Sequence, residues 1–203
     1  INSTFYKIPS QEIVRKWNAD TPRHFKFTVK FPSIITHEKR LDNINSEIFS
    51  FLTSLLPIHE KISALVLQLP PSLTFDEAKP RLEKLFDMLP NDFVYPIEGR
   101  HESWFTDKAL NYFKQKKHCL IWNVVEGVNN PFPITSDYLY VRLIGDRSIP
   151  DKQFGTIRKN KSNFIKEWAQ KLIEISNIPL AMVMVNNHFE GFGPATANTL
   201  GEN

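Results

Sequence analysis

Six polar side chains stand at the C-terminal ends of short apolar runs: Lys30, Gln68, Glu98, Asn123, Arg142 and Asn186. Two of these runs continue directly into further reactive groups, Arg100 and His101 after Glu98, and Asn187 and His188 after Asn186. A carboxylate beside imidazoles can move protons, while Lys and Arg steady negative charge on a substrate. Glu98, His101, His188 and Lys30 are therefore read as the catalytic set, with Glu98 as general acid or base and the two histidines as proton carriers. Arg100 and Arg142 join Lys30 as charge stabilisers. Gln68, Asn123, Asn186 and Asn187 are read as binding groups, together with Asn2 and His37. Tyr6, Trp104 and Phe189 are read as surfaces on which a ligand stacks. Glycosidase chemistry needs two carboxylates across the bond; only Glu98 ends a strand, with Glu190 a distant second, so that reaction is disfavoured. Glu98, His101 and His188 also make a two-His-one-carboxylate set, but three ligands from two loops without a local motif do not define a metal site. No metal is assigned, and the sequence names no cofactor.

These residues need a scaffold, and the apolar pattern supplies one. The segments 25–31, 62–69, 93–98, 118–124, 138–143 and 179–186 are short, rich in aliphatic or aromatic residues and bounded by Pro, Gly, Asn or Asp, as strands are. Two of them, 62–69 and 180–185, are apolar at nearly every position, which fits parallel strands covered on both faces. Between them the apolar residues recur at three and four positions: Ile13, Val14, Trp17; Phe49, Leu52, Leu55, Leu56; Phe75, Ala78, Leu82, Leu85, Phe86, Leu89; and Phe164, Ile165, Trp168, Leu172, Ile173. The third of these helices has two candidate starts, Thr74 with Glu77 as a capping box, or Lys79 with Pro80 in the first turn.

Alternation of strand and helix predicts a single α/β domain over 1–203. No G-x-G-x-x-G follows a strand, so a TIM-type (β/α) barrel is preferred to a dinucleotide-binding sheet. With the first three residues, Ile1–Asn2–Ser3, taken as the tail of a strand, seven strands are counted. The expected barrel is thus N-terminally incomplete, with a gap beside Ile1. Its polar strand ends would then meet at one mouth. A last helix opened by Gly193 and Pro194 and stopped by Gly201 is expected to offer N–H groups to an anion near Asn187, His188 and Arg142.

Composition narrows the partner. Twenty-five Lys and Arg against 22 Asp and Glu give a net charge of +3, short of a dedicated nucleic-acid binder. The basic runs 114–117 and 158–161 read as solvated faces. No apolar stretch is long enough to cross a bilayer, so no membrane partner is expected. The single cysteine, Cys119, leaves no internal disulfide, which fits a cytoplasmic location. The expected partner is a small polar or anionic ligand, such as a phosphorylated metabolite. A binding protein that recognises a phosphorylated ligand or a nucleic-acid end without chemistry is the alternative.

Several blocks carry a resemblance: residues 1–6 (Ile-Asn-Ser-Thr-Phe-Tyr), Lys30-Phe31-Pro32 with Ile35-Thr36-His37, residues 67–72 (Leu-Gln-Leu-Pro-Pro-Ser), Glu98-Gly99-Arg100-His101 with Ser103-Trp104-Phe105, and residues 186–191 (Asn-Asn-His-Phe-Glu-Gly). In this order they resemble the signature blocks of the YecE-like family, domain of unknown function 72. The resemblance implies a TIM-barrel fold with shared polar residues at the C-terminal mouth. It also implies a preceding strand with a Gly-Thr-Ser-Gly-Trp-like block and a helix, neither of which occurs in this sequence.

Overall fold

The computed structural model describes residues 1–125, 131–145, 147–175 and 177–202. It divides into two compact units, Ile1–Tyr112 and Phe113–Asn203.

In the first unit β1 (Phe27–Lys30), β2 (Ile62–Gln68) and β3 (Ile97–Glu98) form a parallel sheet in that order. Leu67 pairs with Ile97 and Gln68 with Glu98, while Lys30 lies beside Val66. Period two then puts Lys30, Gln68 and Glu98 on one face of the sheet, and the fully buried Val29, Leu65, Leu67 and Ile97 on the other. β3 is short because Pro96 has no N–H to donate; only its carbonyl joins the ladder, accepting from Leu67 N at 2.9 Å.

Helices α1 (Gln11–Ala19), α2 (Asn45–Leu55) and α3 (Phe75–Met88) accompany this sheet, and α4 (Asp107–Lys116) follows β3 along the chain. Thr74 caps α3, its Oγ1 accepting from Glu77 N at 3.3 Å, an interaction of about 1 kcal/mol. This fixes the earlier of the two predicted starts and places Pro80 inside the helix. Helix α2 buries Ile48, Phe51, Ser54 and Leu55. The predicted stripe was turned by about one residue: Phe49 is 74% exposed and Leu56, just past the helix, 58%. With Leu52, Met88 and Phe93 these two line an open apolar groove of about 470 Å³.

The second unit repeats the plan with β4 (Trp122–Val124), β5 (Tyr138–Leu143) and β6 (Leu180–Val185), again parallel and in order. Trp122, Val124, Val141 and Leu143 pack with Ile165 and Trp168 of α5 (Ser162–Glu174) and with Phe189. Asn123 and Arg142 are register partners, so they share the opposite face. Two short helices follow, α6 (Asn187–Glu190) and α7 (Gly193–Glu202).

Three expectations are corrected here. The ladders make two three-stranded parallel sheets, β1-β2-β3 and β4-β5-β6, and no closed barrel is found among the described residues. The ladder ends at a two-residue strand, β3, and at a three-residue strand, β4, which offer few backbone groups for further pairing. Residues Ser3–Phe5 form a 3₁₀ turn rather than a strand. Ile1 does keep a ladder-like contact, its carbonyl accepting from Lys30 N at 3.2 Å and its nitrogen donating to Thr28 O. Helix α7 also runs through Gly201 instead of stopping there.

Burial pushes the Cys119 thiol up to about 12, so it is an inert core group. Burial, with Lys116 contributing, pushes His118 down to about 4. Between pH ~6.5 and ~4 the unfolded chain therefore binds a proton at this site that the folded chain does not, so this contribution to stability is complete above pH ~6.5 and is lost as pH falls through the window. Urea midpoints measured from pH 7.5 to 4.5 are expected to fall less steeply for His118→Gln than for the parent. Parallel curves would remove His118 from the account.

Candidate functional site

Of the six strand-end groups, Lys30, Gln68 and Glu98 are joined in one chain. The Lys30 ammonium donates to Gln68 Oε1, and Gln68 Nε2 donates to Glu98 Oε1 at 2.7 Å. Arg100 Nε reaches the same carboxylate oxygen at 2.8 Å. Glu98 is 2% exposed and Gln68 4%, whereas the Arg100 side chain is 38% exposed. Burying a carboxylate is costly unless it is paired and hydrogen-bonded, and the amide and guanidinium meet that need. They also engage the group expected to carry protons, so Glu98 serves here as the anchor that orients Arg100.

The Lys30 stem is held from its other side. Its ammonium sits 3.9 Å from the centroid of the Phe5 ring. The His37 ring meets Phe5 edge to face at 5.0 Å. Thr4, missed in the sequence, fixes this arrangement: its buried hydroxyl donates to Lys30 O at 2.7 Å and Ile1 O at 3.2 Å. The signal lies in the Asn-Ser-Thr-Phe-Tyr block, beside the predicted Asn2 and Tyr6. Both of those are exposed, Tyr6 by 83% with its ring against Phe5 at 5.3 Å.

His37 occupies a π-helical turn, Ile34–Glu38, with Nδ1 2.9 Å from Thr36 Oγ1. Partial burial holds its imidazole below the ordinary histidine range, Lys30 and Arg100 add to that effect, and Glu98 opposes it. Among the described residues the cluster therefore sets the Lys30 ammonium and the Arg100 guanidinium around the buried Glu98, beside an imidazole that is neutral near pH 7.

Two other predicted members take structural posts. His101 caps the 3₁₀ turn Glu102–Phe105, its Nδ1 accepting from Ser103 N at 3.2 Å. Trp104 is fully buried, donates to Leu73 O at 2.8 Å and stacks edge-on against Phe75. It is core, and no ligand can stack on it. Above it, Gly99 permits the close approach of chain and indole: a Cβ there would lie 2.6 Å from Trp104 Cδ2 and 2.7 Å from Trp104 Cβ.

In the second unit Asn186, Asn187 and His188 come together as a cap. Asn186 Oδ1 accepts from His188 N at 3.0 Å, and Asn187 Oδ1 from Gly193 N at 2.9 Å. His188 Nδ1 lies 3.1 Å from Ile149 O and its Nε2 3.6 Å from Asp151, with Phe154 edge-on at 4.9 Å. The start of α7, expected to face an external anion, is served from within. Glu190 is 4% exposed; its Oε2 accepts from Thr196 Oγ1 at 2.6 Å and its Oε1 from Lys161 N, beside the start of α5, at 2.8 Å. One internal carboxylate thus stands at two helix N-termini, where the dipole favours it.

Among the described residues no group of three His, Cys, Asp or Glu could hold a metal ion, and no helix is long and apolar enough to cross a membrane.

Comparison with known proteins places this geometry among relatives. A family model described as "Protein of unknown function DUF72" matches residues 1–203. The UPF0759 protein YecE of Escherichia coli (strain K12) is 36% identical over 104 residues, which are 51% of this chain and 38% of that protein. The alignment thus spans well under half the length of this curated relative. A crystal structure of a DUF72 family protein from Enterococcus faecalis V583 superposes with a TM-score of 0.79 at 22% identity, covering 100% of this chain and 87% of that one. One from Thermotoga maritima MSB8 gives 0.77 at 22% identity, covering 98% and 81%.

Proposed function

For a chain that belongs to the DUF72 family, we propose that the ends of β1, β2 and β3 bind a small polar ligand through an anionic group, a phosphate or a carboxylate. The observation that carries this reading is the convergence of two basic side chains on one strand-end cluster: the Lys30 ammonium bonded to Gln68, and the Arg100 guanidinium, 38% exposed, bonded to Glu98. Arg100 spends Nε on Glu98, and its terminal nitrogens carry no further bond among the described residues. A planar fork with free donors suits an oxyanion. Enzyme chemistry at this site would rest on His37, whose neutral imidazole can accept a proton from a bound ligand, with Lys30 and Arg100 steadying the charge that develops. Recognition without turnover is the second reading, favoured by the engagement of Glu98 with two donors.

Calorimetric titration with inorganic phosphate tests the site. The parent protein is expected to bind, and Lys30→Met or Arg100→Met to weaken binding by about tenfold or more, the equivalent of ~1.4 kcal/mol. Equal affinity in all three proteins, or no binding by the parent, would refute the reading. A metabolite screen comparing parent with His37→Gln then separates the two classes: turnover lost with His37 marks an enzyme, and unaltered binding without turnover marks a recognition protein.

A further inference from the structure

The backbone beside His37 is unusual twice over. His37 lies on a π-helical turn, a form that is rare and concentrated at functional sites. Directly after it, Arg40, Leu41 and Asn43 all have positive φ, at 49°, 66° and 50°. Asn tolerates the left-handed region, but for a leucine it is strained, at a cost of order 1–3 kcal/mol. Such a conformation persists only where its surroundings impose it. Leu41 is 3% exposed, and its N–H donates to Ile35 O at 2.9 Å, tying the strained residues to the π turn.

Arg40 supplies the external hold. Its Nη2 donates to Glu77 Oε1 at 3.0 Å and Oε2 at 2.9 Å, and its Nε to Oε1 at 3.2 Å. Nη1 reaches Ser72 Oγ at 2.8 Å, and Nη2 also reaches Ser72 O at 3.2 Å. Arg81 completes the clamp by donating to Arg40 O at 3.0 Å and to Glu77 Oε1 at 3.2 Å. The Arg40 guanidinium in turn holds the Glu77 carboxyl below the usual carboxylate range. Every acceptor lies on the β2–α3 connection or on α3, which follow Gln68 directly.

From this geometry we infer that Arg40 is a positioning residue: clamped to Ser72 and Glu77, it keeps Arg40, Leu41 and Asn43 left-handed and thereby holds His37 against Phe5, the ring that also meets the Lys30 ammonium. The clamp joins the segment carrying the imidazole to the segment that leads from Gln68, so both halves of the candidate site share one fixed frame. The purpose of the device rests on the anion-site reading, but its physical test does not, because the readout is His37 itself.

NMR of the full chain provides that readout. In Arg40→Met the His37 ring is expected to titrate at a higher pH than in the parent, nearer to the ordinary histidine range. The amides of Ile35, Thr36, His37 and Leu41 should exchange tenfold or more faster, while those of Leu65 and Leu67 in β2 keep their protection. Adding Asn43→Gly, with a residue that adopts the left-handed conformation more readily still than asparagine, should recover part of that loss. An unchanged His37 titration with unchanged exchange in Arg40→Met would overturn the inference. So would faster exchange spread equally into β2, which would make Arg40 a general stabiliser. Phosphate binding measured on the same proteins reports separately on the anion site.

Discussion

Replacing Gly145 with alanine is expected to destabilise the second unit by about 3 kcal/mol or more, at the top of the range for overpacked sites. A Cβ at this position would fall on the His188 carbonyl and lie 2.6 Å from Phe189 N. These are backbone atoms of α6, and they cannot swing aside as a long side chain does. Asn186, just before that helix, is bonded to β5 through Asn186 N to Leu143 O at 3.0 Å, and Phe189 is fully buried in the α5 core. The clash must therefore be relieved by moving α6 as a whole, taking Asn187 and His188 with it. Gly201→Ala is the control, since nothing lies within 4 Å of its Cβ and it sits inside α7; helix propensity predicts up to about 1 kcal/mol of gain. Urea unfolding of both variants decides the matter. A Gly145→Ala protein as stable as its parent would mean that α6 shifts freely.

A second large effect is expected at Glu190. Alanine there leaves Lys161 N and the Thr196 hydroxyl, both in buried surroundings, without their acceptor. One orphaned N–H at about 1–3 kcal/mol, a hydroxyl left with only its longer bond to Phe192 O, and the carboxylate lost from two helix N-termini together predict a loss of roughly 3 kcal/mol. Glutamine keeps one carbonyl oxygen for Lys161 N, and the Thr196 hydroxyl can turn toward Phe192 O, which lies at 3.3 Å. Glu190→Gln should therefore lose only about 1 kcal/mol, chiefly the charge at two helix N-termini. Equal losses in the two variants would show that the carboxylate's charge, not its acceptor geometry, matters.

The sequence reading succeeded where the signal was local. The apolar runs 62–69 and 180–185 correspond to β2 and β6 to within about a residue, and Thr74 caps α3 through its own hydroxyl. It failed where the answer lay in long-range contacts. Apolar residues at 48, 49, 51, 52, 55 and 56 cover so wide an arc of α2 that the sequence does not say which part turns inward. Closure of a sheet depends on pairing between distant residues, and among the described residues the ladders join three strands in each unit. Arg100, His101 and Trp104 all lie within six residues after Glu98, yet of the three only Arg100 reaches the carboxylate; the indole turns into the core, and the imidazole folds back on Ser103. Glu190 carries the same lesson: a carboxylate near a helix start reads as an accessory until its two donors are seen.

The seat of Trp104 beneath Gly99 has an optical consequence. Its indole is sealed from solvent, holds one hydrogen bond to Leu73 O, and touches the backbone that links Glu98 to Arg100. An indole so buried is expected to emit at shorter wavelength than an exposed one, and it packs against the segment that carries Glu98 and Arg100. With Trp17, Trp122 and Trp168 replaced, the remaining fluorescence becomes a label-free gauge of whether the Glu98–Arg100 segment has moved, and any collection of small anions can be surveyed against it without knowledge of a reaction.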